Sequence, residues 1–266
     1  MSETEPNKTF LEFLPVSLFG SIMGLTGLSF AWKLAGKAWG YPAWPGVLIG
    51  MLAVFLFLIL SSAFIVKWFR YTATVKAEFN HPVSVSFFTT FIVSLLLIPG
   101  IILPYSTNLA VGVWIIGAVL VFVFAFIRLR KILFNIQEPS NALPSWFLPI
   151  VGIVDTPIVG YSLPLPGIHE ICVVYFGIGV VLTVIFMPVI FLRLLFQPSL
   201  PEALQPTLLF LVAPFAIVFT DYELLSGSQD MLASVLYYAT LFILLIFGTK
   251  VLLIPKCRPF RVDWSR

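Results

Sequence analysis

Charge is what this sequence has least of: Asp, Glu, Lys and Arg together make up 10% of its 266 residues, and histidine occurs twice. A soluble domain carries roughly 25% charged residues, so an ordinary water-facing surface is excluded. Cysteine occurs only twice. Cys172 and Cys257 fall in or beside different apolar segments, without the spacing of a disulfide pair, thiolate metal site or redox motif. There is no Gly-rich phosphate loop and no His/Cys/Asp cluster at ligand spacing, so neither a cofactor nor a metal is expected. His81 and His169 fall at opposite ends of the apolar segments. At membrane depth the sequence offers one carboxylate, Asp155, and no paired acids. An intramembrane protease needs a nucleophile with a base, or two acids, and a strongly proton-coupled pump needs several ionisable groups along its path. Neither is expected, and the chain is not expected to be an enzyme. The opening MSETEPNKTFLE is polar and acidic rather than basic, which argues against a cleavable signal peptide.

What is present is apolar. Hydrophobic residues make up 60% of the chain and mean hydropathy is +1.05, the composition of an all-α polytopic membrane protein surrounded by lipid. Eight runs near spanning length follow one another: Phe13 to Trp32, Trp44 to Trp68, Val83 to Tyr105, Leu109 to Ile127, Pro144 to Gly167, Ile171 to Leu195, Leu208 to Thr220 and Met231 to Ile254. The reading is a cytoplasmic tail over 1–12, a transmembrane domain over 13–257 and a cytoplasmic segment over 258–266.

These runs alternate in character. The odd ones hold Pro15, Pro99, Pro149, Pro157 and Pro214 and most of the small and hydroxyl residues, including Gly20, Gly24, Gly27, Ser84, Ser86, Thr89, Thr90 and Ser94. Within the even ones only Pro188 lies in the interior. Smooth bulky helices suit lipid; kinks and small residues suit close packing or a cavity wall, the setting where broken backbone is tolerated in a membrane. Four hairpins are predicted, each an inner kinked helix followed by an outer straight one. The stretch from Pro144 to Gly167 is the extreme case, with five prolines around Asp155.

Thirteen of the fifteen Lys and Arg fall at the N-terminus, in the connections after the even segments, or at their flanks. Only Lys33 and Lys37 lie on the other side, with Asp221, Glu223 and Asp230 placed at the seventh-to-eighth connection. The positive-inside rule makes the basic side and the N-terminus cytoplasmic. Interfacial snorkelling accounts for these cations, and the net charge of +3 gives no reason to expect nucleic acid as a partner.

Five runs, LPVSLFGSIMGLTGLSFAW (Leu14 to Trp32), VKAEFNHPVSVSF (Val75 to Phe87), PSWFLPIVG (Pro144 to Gly152), MPVIFLRL (Met187 to Leu194) and LQPTLLFLVAPF (Leu204 to Phe215), resemble in content and order the tellurite-resistance/C4-dicarboxylate transporter family of TehA/SLAC1-like anion channels. The resemblance implies ten helices as five hairpins around a pseudo-fivefold axis. Odd helices would line a pore for small inorganic or organic anions, in a homotrimer in the cell membrane. It also implies a phenylalanine gate on a ninth helix. RPFRVDWSR (Arg258 to Arg266) resembles the lead-in to that helix, so the gate is absent from this chain. Ile92 stands where the family carries a third-helix proline, and Met187 where bacterial members often carry glutamate. Under the resemblance Phe19, Gly20, Met23, Gly24, Phe87, Pro149 and Pro214 are pore-lining or kink positions, with Asp155 beside them. Phe19 and Phe87 read equally as packing aromatics, and Gly20 and Gly24 as helix contacts. The alternatives are a carrier of C4-dicarboxylates or other oxyanions, including sulfite or tellurite, and an inactive membrane scaffold.

Overall fold

The computed structural model describes residues 11–12, 14–81 and 83–251. Phe13, the end of the eighth run at Ile254, Cys257 and the segment from Arg258 to Arg266 lie outside the described residues. The helices are α1 (Phe19–Trp39), α2 (Trp44–Arg70), α3 (Thr72–Asn80), α4 (Ser84–Leu97), α5 (Pro99–Ile102), α6 (Thr107–Phe134), α7 (Phe147–Gly160), α8 (Ile168–Phe196), α9 (Ala213–Ser226) and α10 (Met231–Val251). Short 3-10 turns lead into α1, α7 and α9.

Seven helical stretches are long and apolar enough to cross a membrane. The eighth, Pro144–Gly160, is shorter. By helix rise it is roughly 25 Å long, a little under the ~30 Å of a hydrocarbon core.

Local chemistry sets the ends. α1 runs to Trp39, seven residues past the predicted end, and stops where Gly40 adopts φ 73° and its N–H caps the Gly36 carbonyl; that left-handed geometry suits glycine alone. Lys33 and Lys37 therefore sit in the last turns of α1 rather than beyond it. Pro99 interrupts the third span, separating α4 from α5. The helix in the fifth stretch ends at Gly160, before Pro164 and Pro166, which cannot continue it.

Successive spans pair as antiparallel hairpins, α1 with α2, α4/α5 with α6, α7 with α8 and α9 with α10. The α1–α2 contact is close because Gly46, Gly50, Ala53 and Phe57 form one buried stripe on α2, and the Ser29 hydroxyl donates to the Gly46 carbonyl at 2.7 Å. Between hairpins, α1 packs on α4, α4 on α7 and α7 on α9. In the described structure α1 and α9 form the two ends of this inner row.

Burial follows that order. Ser84–Ile102 is 72% buried, against 17% for α2 and 11% for α10. Every residue of α7 except Ile158 is buried, and a helix apolar on all sides belongs in the middle of such an assembly. On α2, α6, α8 and α10 large side chains such as Phe55, Phe122, Val184 and Leu245 are exposed, as lipid-facing surfaces require.

Two features depart from the expectation. The first is α3, a nine-residue helix between the second and third spans. The second concerns the basic residues: Lys67 is fully buried, and Arg128 and Arg193 are nearly so, so snorkelling does not describe these three.

Candidate functional site

α7 is the centre of the inner row, and glycine brings its neighbours close. A Cβ on Gly152 would lie 2.7 Å from Val121 Cγ2 and 2.9 Å from Thr89 Cγ2. One on Gly160 would meet Cys172 Sγ at 2.6 Å and Trp114 Cζ2 at 2.8 Å. On α8, Gly179 is pressed against Val154 in the same way. These contacts press α4, α6 and α8 onto α7. The Trp114 indole N–H then donates to the Thr156 carbonyl at 3.1 Å, fixing α6 at that level. Pro157 has no N–H to offer the Ile153 carbonyl one turn earlier, so α7, though a continuous helix, lacks one backbone hydrogen bond where it is most enclosed.

Apart from Ser29, which donates across to α2, and Ser84, which meets His81 Nδ1, the buried hydroxyls of the inner row divide into two groups. Thr26, Thr90, Ser94 and Thr156 return their protons to carbonyls three or four residues earlier in their own helices, the usual fate of a helical hydroxyl. Ser86 and Thr89 on α4, and Ser145 just before α7, are buried and have no hydrogen-bond partner among the described residues. Ser86 and Thr89 are three residues apart on one face of α4, and the Thr89 methyl faces Gly152 on α7.

The carboxylates require a correction. Asp155 is not the only acid at membrane depth. Asp221 lies inside α9, is fully buried and has neither oxygen hydrogen-bonded to a described residue. It lies on the helix packed against α7, whose Asp155 is itself 4% exposed. In the sequence Asp221 reads as part of a connection because Glu223 and Asp230 follow closely. Spacing holds the signal that reading misses: Pro214, Val218 and Asp221 stand at i, i+4 and i+7, and all three are buried on one face of α9.

The other predicted positions are scattered. Phe19 is enclosed by aromatic rings, edge-on to Phe57, Phe64 and Phe91 with centroids 5.0 to 6.1 Å away, and this is a packing environment. Phe87 is buried with its ring edge-on to Phe210 at 6.2 Å. Pro149 and Pro214 are buried in α7 and α9. Met23 packs from α1 against the cluster formed by α4, α6 and α8. Gly20 and Gly24 face open space: a Cβ at either position would have no neighbour within 4 Å.

Outside the inner row, Lys67 Nζ donates to Glu78 Oε1 at 2.6 Å and to the Leu14 carbonyl at 2.7 Å, tying α3 to the ends of α1 and α2. Among the described residues no three His, Cys, Asp or Glu side chains gather as a metal site.

Residues 14–264 match the family model described as voltage-dependent anion channel (SLAC1). The tellurite resistance protein TehA homolog of Haemophilus influenzae is 27% identical over 227 residues, covering 84% of this chain and 68% of that protein. An uncharacterized transporter of Methanocaldococcus jannaschii is 31% identical over 166 residues, or 58% of this chain and 48% of its own length. The S-type anion channel SLAH3 of Arabidopsis thaliana is 22% identical over 258 residues, 91% of this chain and 39% of that one. The chain thus spans about two thirds of the Haemophilus protein and less than half of the other two. With residues 14–264 of its 266 matching the family model and its helices paired as hairpins, the chain belongs to the voltage-dependent anion channel (SLAC1) family of membrane channels and transporters.

Proposed function

We propose that this chain forms the wall of a membrane path for small anions. α1, α4, α7 and α9 would face the path, and α2, α6, α8 and α10 the lipid. The observation that carries this reading is the set of buried hydroxyls without partners among the described residues, Ser86, Thr89 and Ser145. A hydroxyl left unpaired in a dry interior costs about 1–3 kcal/mol, whereas water or a passing anion would satisfy it. Hydroxyls donate to an anion without binding it as tightly as a fixed cation would, which suits conduction. The interrupted helix at Pro99 and the missing hydrogen bond at Pro157 are tolerated beside such a path.

The relatives named as anion channels support the channel over the carrier. A second reading, a carrier of C4-dicarboxylates or other oxyanions, is favoured by one observation, the buried acids Asp155 and Asp221, of which the sequence-level argument against proton coupling counts only the first. Both readings place the chain in the cell membrane with its N-terminus cytoplasmic, as a homotrimer in the manner the family resemblance implies.

Vesicles containing the full chain and loaded with chloride or nitrate test the two. Flux that rises without saturation and persists without a proton gradient identifies a channel. Saturable uptake that requires a gradient identifies a carrier, and vesicles as tight as empty ones contradict both.

A further inference from the structure

The basic end of α6 carries cations of two kinds. Arg128 closes the inward stripe that runs through Trp114, Gly117, Val121 and Phe124, all buried. Arg130 and Lys131 lie on the other side of the helix and are exposed. Neither of these two side chains is hydrogen-bonded or ion-paired to a described residue. Together with Phe126, Ile127, Phe134 and Asn135 they line one open groove of about 350 Å³, within the roughly 300–1,000 Å³ of small-ligand clefts. Positions 126, 127, 130, 131 and 134 follow the i, i+1, i+4, i+5, i+8 spacing of a single helix face. The Asn135 side-chain amide donates to the Lys131 carbonyl at 2.7 Å. That orphan acceptor is therefore already satisfied, and what the groove offers a ligand is its two cations.

The groove also stands at a definite height. α6 has 28 residues, roughly 42 Å of helix rise, against the ~30 Å of a hydrocarbon core, so its last turns reach the headgroup layer. Below the cations, Ile115, Val119, Phe122 and Phe126 form an exposed stripe along the lipid-facing side. Beyond them, Phe134 is 81% exposed.

An apolar track that runs into two unpaired cations matches a lipid, with acyl chains along the track and an anionic phosphate at its head. Free phosphate would satisfy the cations but leave Phe126, Ile127 and Phe134 uncovered. A zwitterionic lipid brings a cation of its own to a place that already holds two. We propose that the end of α6 binds an anionic phospholipid, its phosphate held by Arg130 and Lys131 and its chains lying on Phe126 and Ile127. Snorkelling alone lets a cation meet any phosphate; the groove adds a preference for a headgroup of net negative charge. A cation near an anionic surface contributes about a fivefold preference, and two are present here. The site depends neither on the anion path nor on the direction in which the chain crosses the membrane.

The test is native mass spectrometry of the full chain, released from detergent micelles containing equal amounts of phosphatidylglycerol and phosphatidylcholine with identical chains. Wild type is compared with Arg130→Gln/Lys131→Gln, with the charge-preserving Arg130→Lys/Lys131→Arg, and with Phe126→Ala. Arg70→Gln/Lys76→Gln removes two exposed cations outside the groove and controls for total charge. Wild type, the charge-preserving variant and the control are expected to retain phosphatidylglycerol at least fivefold over phosphatidylcholine. In Arg130→Gln/Lys131→Gln the two lipids should be retained about equally, and Phe126→Ala should hold several-fold less phosphatidylglycerol than wild type. Phosphatidylglycerol should also raise the thermal midpoint of wild type but not of Arg130→Gln/Lys131→Gln, because a ligand stabilises the folded state it binds. Equal retention of the two lipids by wild type overturns the site. So does an equal loss in the groove variant and the control, which would mean diffuse attraction to charge. Displacement of phosphatidylglycerol by millimolar inorganic phosphate at constant ionic strength would identify a free-phosphate site and overturn the lipid.

Discussion

Lys67 on α2 reaches across to Glu78 on α3, with Nζ 2.6 Å from Oε1, while also donating to the Leu14 carbonyl at the head of α1. A single buried ammonium thus joins three segments at the basic side of the molecule. Its ring neighbour Phe64 lies 5.8 Å away. The short helix α3, which carries no spanning signal of its own, is held in place by this contact.

Removing one partner of a buried ion pair leaves the other uncompensated, which costs several kcal/mol when both are dry. Here Glu78 is 18% exposed, so Glu78→Gln is expected to destabilise by up to about 2 kcal/mol, and Lys67→Met by less, since it removes the buried charge. Thermal unfolding of the purified chain in detergent measures both. A larger drop for Lys67→Met than for Glu78→Gln would reverse the account of which charge depends on the pair.

The glycines of α1 and α7 predict opposite outcomes for one kind of change. Gly152→Ala inserts a methyl 2.7 Å from Val121 Cγ2 and 2.9 Å from Thr89 Cγ2, an overpacking expected to cost about 1–3 kcal/mol. Gly24→Ala meets nothing within 4 Å and is expected to be neutral or to stabilise by about 0.5–1 kcal/mol through helix propensity. Thermal midpoints of the two variants, measured side by side, should move in opposite directions or by clearly different amounts.

At the head of α10, Asp230 accepts from the Tyr222 hydroxyl at 2.6 Å and from the Ala233 N–H at 2.9 Å. The Tyr222 hydrogen bond, followed by that of the helix N-terminus, holds its carboxyl below the usual Asp range. A carboxyl lowered on folding contributes stability that is present above its unfolded value of about 3.9 and is lost as pH falls through the folded value. Midpoints recorded from neutral to acidic pH should therefore decline in wild type below the ordinary Asp range. Asp230→Asn should remove that part of the decline while keeping the acceptor for Ala233.

The spans are legible in the sequence because a run of some twenty apolar residues has few other uses, and the inner position of α4 and α7 follows from Pro99, Pro157 and the hydroxyls. α3 is not legible, since nine residues of mixed polarity between two spans read as a connection. The burial of Lys67 is hidden for a related reason: its partner belongs to that same short helix. Asp221 is misplaced because its neighbours Glu223 and Asp230 give the stretch the look of a loop, although the i, i+4, i+7 spacing from Pro214 points inward. Phe19 looks like a path residue by its place in the first helix, but three phenylalanines of α2 and α4 surround it. Which of several hydroxyls on α4 lacks a carbonyl partner can be seen only with the helices in place.

Thr89 offers the most direct test of the anion path. Thr89→Val keeps the shape of the side chain and removes a buried hydroxyl that has no partner among the described residues, so stability should hold or rise slightly. Chloride flux into vesicles containing the full chain, compared between wild type and Thr89→Val at equal protein content, is the deciding measurement. Wild type is expected to show flux well above empty vesicles, and the variant a several-fold loss with its thermal midpoint not lowered. Equal flux in the two proteins, or wild-type vesicles as tight as empty ones, would contradict the anion path.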